Sequence, residues 1–188
     1  YRKTNAVISV SNFAKNILLD DINLKSPIYV IPTPLHFLKH FKTSGSYSSQ
    51  NNQILSVGRL IKRKGFSHLI SAFDIVIKSI PSAKLIIVGD GPEYDSLNQK
   101  ILSLKLSDSI KILRCIKDEQ LIRFYKESEL FVLANLLLDN GDCEGAPNVI
   151  VEAASFGLPT IAGKEGGTSD VVKDGVSGLL INPLEHEL

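Results

Sequence analysis

The sequence predicts an α/β fold, a doubly wound parallel sheet with helices on both faces, and three observations carry that prediction. Short apolar runs alternate with amphipathic segments along most of the chain, so strand and helix follow each other in turn. The connections between them are short, which sets successive strands in parallel within one sheet. Residues 83–88 (Ala-Lys-Leu-Ile-Ile-Val) are nearly all apolar, as befits a strand buried on both faces.

Composition narrows the class. The 188 residues are 44% hydrophobic and 22% charged, enough for one sizeable core in a globular domain. A net charge of +1 gives no reason for a nucleic-acid partner. No apolar run approaches the roughly 18 residues of a membrane span, and no signal peptide is present. Two cysteines, Cys115 and Cys143, are too few for a disulfide framework and place the chain in a reducing, cytoplasmic compartment. The chain starts at Tyr1 and contains no Met, which reads as a piece of a longer protein.

The elements follow in order. Residues 6–10 read as a strand, and Ser11 caps a helix over residues 12–19. Residues 28–31 form a second strand, ended by Pro32 and Pro34. Residues 35–52 turn to Ser, Gly, Asn and Gln and form a linker. From residue 53 the pattern is more regular. A strand at 54–58 enters a turn at 59–65. An amphipathic helix at 66–79 carries Leu69, Ile70, Phe73, Val76 and Ile77 on one face. After the strand at 83–88 come a Gly-Asp-Gly-Pro turn, a helix at 93–104, a strand at 110–113 and a helix at 118–128. A strand at 130–133 leads to a polar loop. Pro147 then takes the first helical position of a short apolar helix, residues 147–156, which Gly157 and Pro159 stop. A strand at 160–162, a short helix near 169–172 and a strand at 179–181 complete the chain.

Sheets of this kind bind ligands beyond the carboxyl ends of their strands. Nearly all suggestive residues fall in the turns there. Gly58, Arg59 and Lys64 fit a diphosphate site, a glycine letting the backbone approach and two cations supplying charge; a solvated turn is the other reading, because Lys62 and Arg63 are basic too. Glu144 and Glu152 bracket the start of the 147–156 helix. Were both helical, about 12 Å of axis would separate them. The amides of residues 145–149 have no helical partners and can face a polar ligand. Val88-Gly89-Asp90-Gly91-Pro92-Glu93 lacks the third glycine of a dinucleotide fingerprint and reads as a tight turn. Gly166-Gly167-Thr168 serves either as a backbone cradle or as a hinge. His36 and His40 have a helical metal spacing without a supporting ligand cluster, and Cys143 has no evident base, so neither marks a site.

Taken together the motifs resemble the C-terminal half of a family 4 glycosyltransferase, a retaining enzyme of the GT-B fold. The phrases that carry the resemblance are Ser56-Val57-Gly58-Arg59-Leu60 with Lys64-Gly65, Leu85 through Glu93, and Glu144-Gly145-Ala146-Pro147-Asn148-Val149-Ile150-Val151-Glu152-Ala153, the family's Glu-x7-Glu signature. Gly157-Leu158-Pro159, Gly166-Gly167 and Asp174-Gly175-Val176-Ser177-Gly178-Leu179-Leu180 complete the set. The resemblance implies a Rossmann-like domain that binds a UDP- or GDP-sugar donor, with no cofactor and no metal. It assigns Arg59 and Lys64 to the diphosphate and Glu152 to the ribose hydroxyls. Glu144, with Gly145, Ala146, Pro147, Asn148 and Val149, positions the hexose. Gly58 lies at the diphosphate turn, and Arg114, Cys115 and Ile116 line the base pocket. The chain departs from the family at Thr33-Pro34, Arg114 and Ala146, and none of these removes a needed charge.

The resemblance also divides the chain. Residues 1–34 match the end of an absent N-terminal domain, and residues 53–188 match the donor-binding domain. The absent half would hold the saccharide or lipid-linked acceptor and any peripheral contact with the inner face of a membrane. It implies a chain that binds donor weakly and transfers nothing by itself, with the strand at residues 7–10 displaced or packed on a neighbour. Other readings are a non-catalytic sugar-nucleotide module, a dinucleotide-binding oxidoreductase domain and an epimerase of GT-B fold. Retention of Arg59, Lys64, Glu144 and Glu152 together argues against the first, and the incomplete glycine pattern against the second. The Gly-Arg-Leu to Lys-Gly phrase argues against the third.

Overall fold

The computed structural model describes residues 4–21, 26–35 and 51–185. Residues 36–50, and with them His36, His40 and most of the expected linker, lie outside the described residues. A first unit comprises β1 (Val7–Ser9), α1 (Asn12–Asp21) and β2 (Ile28–Val30). The second runs through β3 (Gln53–Val57), α2 (Phe66–Ser79), β4 (Lys84–Val88), α3 (Tyr94–Ser103), β5 (Ile110–Leu113), α4 (Asp118–Glu127), β6 (Leu130–Leu133), α5 (Asn148–Ser155), β7 (Thr160–Gly163) and β8 (Leu179–Ile181).

The large sheet has the order β5-β4-β3-β6-β7-β8, and every pairing in it is parallel. The chain winds outward from β3 through β4 to β5, then returns to the other side of β3 and winds outward again. That is the doubly wound order the alternating pattern predicts, and its reversal lies between β3 and β6. Side chains alternate along each strand, so one sequence feeds two cores. Leu85 and Ile87 pack with Phe66, Ile70, Phe73 and Leu97 beneath α2 and α3. Ile86 and Val88 pack with Ile122, Tyr125, Ile150 and Phe156 beneath α4 and α5.

Three expectations need correction. Pro147 is the N-cap of α5, not its first helical residue, with φ −77° and ψ 91°. The helix expected near residues 169–172 is a 3₁₀ turn at Gly166–Asp170, so the glycine pair opens it instead of preceding it. The strand expected to be displaced or packed on a neighbour pairs instead within its own chain: β1 lies parallel to β2, from Val7↔Ile28 to Ser9↔Val30. Its unit is fastened to the larger one through α1. The amide of Phe13 donates to Asp170 Oδ2 at 2.9 Å, and that of Ala14 to Ser11 Oγ at 3.1 Å. A carboxylate and a hydroxyl thus satisfy two orphan donors of the first turn, and the carboxylate also suits the helix dipole.

Gly65 occupies a backbone position that admits no side chain. Gly65 closes a 3₁₀ turn at Lys62–Lys64 and caps α2, with φ +67°. A Cβ there would stand 1.7 Å from the carbonyl oxygen of Ala134. Gly65→Ala therefore loses both the left-handed conformation and the contact between the β3 and β6 loops. We expect a loss of at least about 2 kcal/mol, read as a lower urea midpoint.

Candidate functional site

The reversal between β3 and β6 puts two loops face to face at the carboxyl ends of the strands. One is the turn from Gly58 to Gly65, the other the loop from Ala134 to Pro147. Leu136 donates its amide to the carbonyl of Arg63 at 2.8 Å, which aligns them. Glu144, only 6% exposed, lies between the loops. Its Oε1 accepts from Arg63 Nε at 2.9 Å and its Oε2 from Lys64 Nζ at 2.9 Å. Arg63 also holds Asp142, its terminal nitrogen 3.0 Å and 3.2 Å from the two carboxylate oxygens. The bond to Glu144, joined by that to Asp142, outweighs burial, which acts the other way, and holds the guanidinium pKa up.

The aliphatic stem of Lys64 crosses Gly58, where a Cβ would stand 3.3 Å from Lys64 Cε. A hydrogen in place of a side chain at Gly58 thus makes room for the lysine. Arg59 is exposed, and among the described residues its side chain has no ion-pair or hydrogen-bond partner.

Glu144 sits in the loop before α5, so no helical spacing relates it to Glu152. Its carbonyl accepts from the amide of Gly167 at 2.7 Å. That amide is therefore committed to holding the loop. Behind it, buried Asn135 donates to Thr168 Oγ1 at 2.9 Å and to the Glu165 carbonyl at 3.1 Å. Its Oδ1 has no partner among the described residues.

At the start of α5 the amides of Gly145, Ala146, Asn148 and Val149 make no hydrogen bond among the described residues. Four such donors beside a helix N-terminus form a ready anion or hydroxyl site. Glu152 lies one turn further along and is half-buried. Its Oε2 accepts from the hydroxyl of Tyr125 at 2.9 Å. Burial first, then the charge of Glu152, pushes the tyrosine pKa far up.

Arg114 is tied across the neighbouring strand ends. Its Nε lies 2.9 Å from Asp90 Oδ1, a terminal nitrogen 3.1 Å from Oδ2, and its guanidinium carbon 4.3 Å from the centre of the Tyr94 ring. Arg114, followed by the amide of Gly91, holds the Asp90 carboxyl below its usual range. Cys115 is exposed at φ +50°, and Ile116 packs on the core beneath α4. Gly89 keeps the Gly-Asp-Gly-Pro turn close to the β3 turn; a Cβ there would meet the carbonyl oxygen of Gly58 at 1.8 Å. Cys143 is half-buried, and burial, then Asp142, raises its thiol pKa, which disfavours the thiolate. Among the described residues no three His, Cys, Asp or Glu side chains gather as a metal site.

The structure thus brings Gly58, Lys64 and Glu144 together, with residues 145–149 following Glu144 in the same loop and Arg59 exposed on the opposing turn. Sequence reasoning missed Arg63, Asp142, Tyr125 and Asn135. Arg63 could have been found, because a turn that offers adjacent cations near two acidic loop residues invites more than one pair.

Over residues 39–187 the chain matches the family described as glycosyl transferases group 1. The amylovoran biosynthesis glycosyltransferase AmsK of Erwinia amylovora is 31% identical over 128 residues, covering 68% of this chain and 31% of that protein. A GDP-mannose-dependent α-(1-6)-phosphatidylinositol monomannoside mannosyltransferase of Mycolicibacterium smegmatis is 30% identical over 130 residues, covering 69% of this chain and 34% of that one. Among solved structures, Anabaena HepE in complex with UDP-glucose superposes with a TM-score of 0.81 at 27% identity, over 97% of this chain and 51% of that one. The chain thus spans about a third of these two curated relatives and half of the solved one. Fold and family agree: the chain folds as a Rossmann-like domain of GT-B glycosyltransferases and belongs to the glycosyl transferases group 1 family.

Proposed function

We propose that this chain is the donor-binding part of a retaining glycosyltransferase that moves a hexose from a UDP- or GDP-sugar to a saccharide or lipid-linked acceptor. The observation that carries the reading is the crevice at the sheet reversal. There, two cations meet a buried carboxylate, and the loop that carries it runs straight into unpartnered amides. In the reaction the bond from the anomeric carbon to the diphosphate oxygen breaks, and its electron pair leaves with the nucleoside diphosphate. The acceptor oxygen bonds to the same carbon, and its proton passes to the departing phosphate oxygen. Arg59 and Lys64 stabilise the departing negative charge, so no metal is needed for that role. The amides of Gly145, Ala146, Asn148 and Val149 and the carboxylate of Glu144 hold the hexose, Glu152 accepts from the ribose hydroxyls, and the Arg114–Ile116 turn meets the base. HepE with UDP-glucose supports a UDP-sugar, and the mannosyltransferase of Mycolicibacterium smegmatis supports GDP-mannose as the alternative. The same mannosyltransferase, named for phosphatidylinositol monomannoside, supports a lipid-linked saccharide acceptor, and AmsK is named for the biosynthesis of amylovoran. No helix of the described residues is long and apolar enough to cross a membrane.

Lys64 is parked on Glu144 and turns to the diphosphate when donor binds. Arg63 stays, so Glu144 is never left buried without a counter-charge. This division of labour has a stability signature. Glu144→Leu strands Lys64 and costs about 3 kcal/mol, while Lys64→Met costs about half as much because Arg63 still satisfies one oxygen. The double variant costs less than the sum, by urea denaturation.

The reading itself is tested by calorimetric titration with UDP and GDP in the absence of metal. One nucleotide binds, and Arg59→Ala weakens it about tenfold, the worth of a charged phosphate contact. Binding unchanged by that substitution would remove Arg59 from the site. The 188-residue chain alone binds donor weakly and transfers no sugar; transfer of labelled hexose by it would refute that part.

A further inference from the structure

We propose that Tyr125 is the positioning residue for Glu152, fixing its carboxylate in the orientation that accepts the donor's ribose hydroxyls. The inference rests on the donor reading above and extends it to a residue on another helix. Tyr125 is fully buried on α4, with its ring stacked on Phe156 at 5.2 Å between centroids and 6° between planes, and tilted against Phe131 at 6.2 Å. A ring held on two sides has one position for its hydroxyl. That hydroxyl donates to Glu152 Oε2 at 2.9 Å. Tyr125 thus carries rigidity from the core out to a side chain on α5 that is half-exposed. A glutamate at such a place otherwise loses rotamer freedom on binding, and a fixed one has lost it in advance. Burial also keeps the phenol protonated across the working pH range, so the donor is never lost.

The competing reading is that Glu152 merely satisfies a buried hydroxyl. The two separate by ligand. Tyr125→Phe keeps the stack and removes only the oxygen. UDP and GDP are titrated beside their 2′,3′-dideoxy forms, with the wild-type chain and with the Y125F, E152A and double variants. We expect Y125F to weaken the ribose-bearing nucleotide about fivefold and the dideoxy form less than about twofold. We also expect no further loss when Y125F is added to E152A. Equal losses for both ligands, or additive losses in the double variant, would leave Tyr125 as packing and overturn the inference while the donor reading stands. A wild-type chain that binds ribose and dideoxy forms alike, or binds neither, would overturn the role of Glu152 and the inference with it.

Discussion

The buried carboxylate of Glu144 is the constraint on which the crevice depends. A charge at 6% exposure is tolerated only when paired and hydrogen-bonded. Glu144 is paired twice, by adjacent residues of the opposing turn, each at 2.9 Å. To place both cations there, the turn after β3 must tighten into a 3₁₀ helix and reverse at Gly65. The loop after β6 must come back over it, with Leu136 bound to the Arg63 carbonyl. The sheet order supplies the rest, since it makes β3 and β6 neighbours although two strands and three α-helices separate them in sequence.

A second set of contacts holds the same loop from behind. The carbonyl of Glu144 receives the amide of Gly167, and Gly167 in turn lies against Gly145, where a Cβ would meet the carbonyl oxygen at 1.8 Å. That same Cβ would lie 3.4 Å from Phe13 Cβ. Asp170, at the end of the same 3₁₀ turn, caps α1. The small N-terminal unit is therefore seated on the segment that supports Glu144.

Much of the fold was legible in the sequence because periodicity is a local property. The α2 face of Leu69, Ile70 and Phe73 and the doubly buried β4 follow from residue spacing alone. Pro147 misled because its fixed φ suits the N-cap and the first helical position alike; the difference lies in ψ, which here is 91°. The Gly166-Gly167 pair misled because glycines mark turns without saying whether the turn is helical. Of the crevice, the motif residues were legible and their partners were not. Arg63 looks like a solvated lysine neighbour, Tyr125 like any core aromatic, and Asn135 like loop polarity. What distinguishes each is a contact spanning 81, 27 or 33 residues, which only the sheet order creates.

Charge arithmetic shows why a neutral cluster can still be a receptor for an anion. Arg63 and Lys64 are balanced by Asp142 and Glu144, and Arg59, exposed, stands outside the balance. Under the proposed reading a diphosphate meets Arg59 first, then draws Lys64 from a carboxylate that Arg63 continues to neutralise. Lys64 leaves a bridge whose net worth is small, because the desolvation of both ions is already spent in the folded state. The exchange therefore substitutes one charged hydrogen bond for another instead of creating a buried charge. A single lysine without Arg63 beside it could not make that exchange without stranding Glu144. The residue that the motif does not name is thus what lets the motif lysine move.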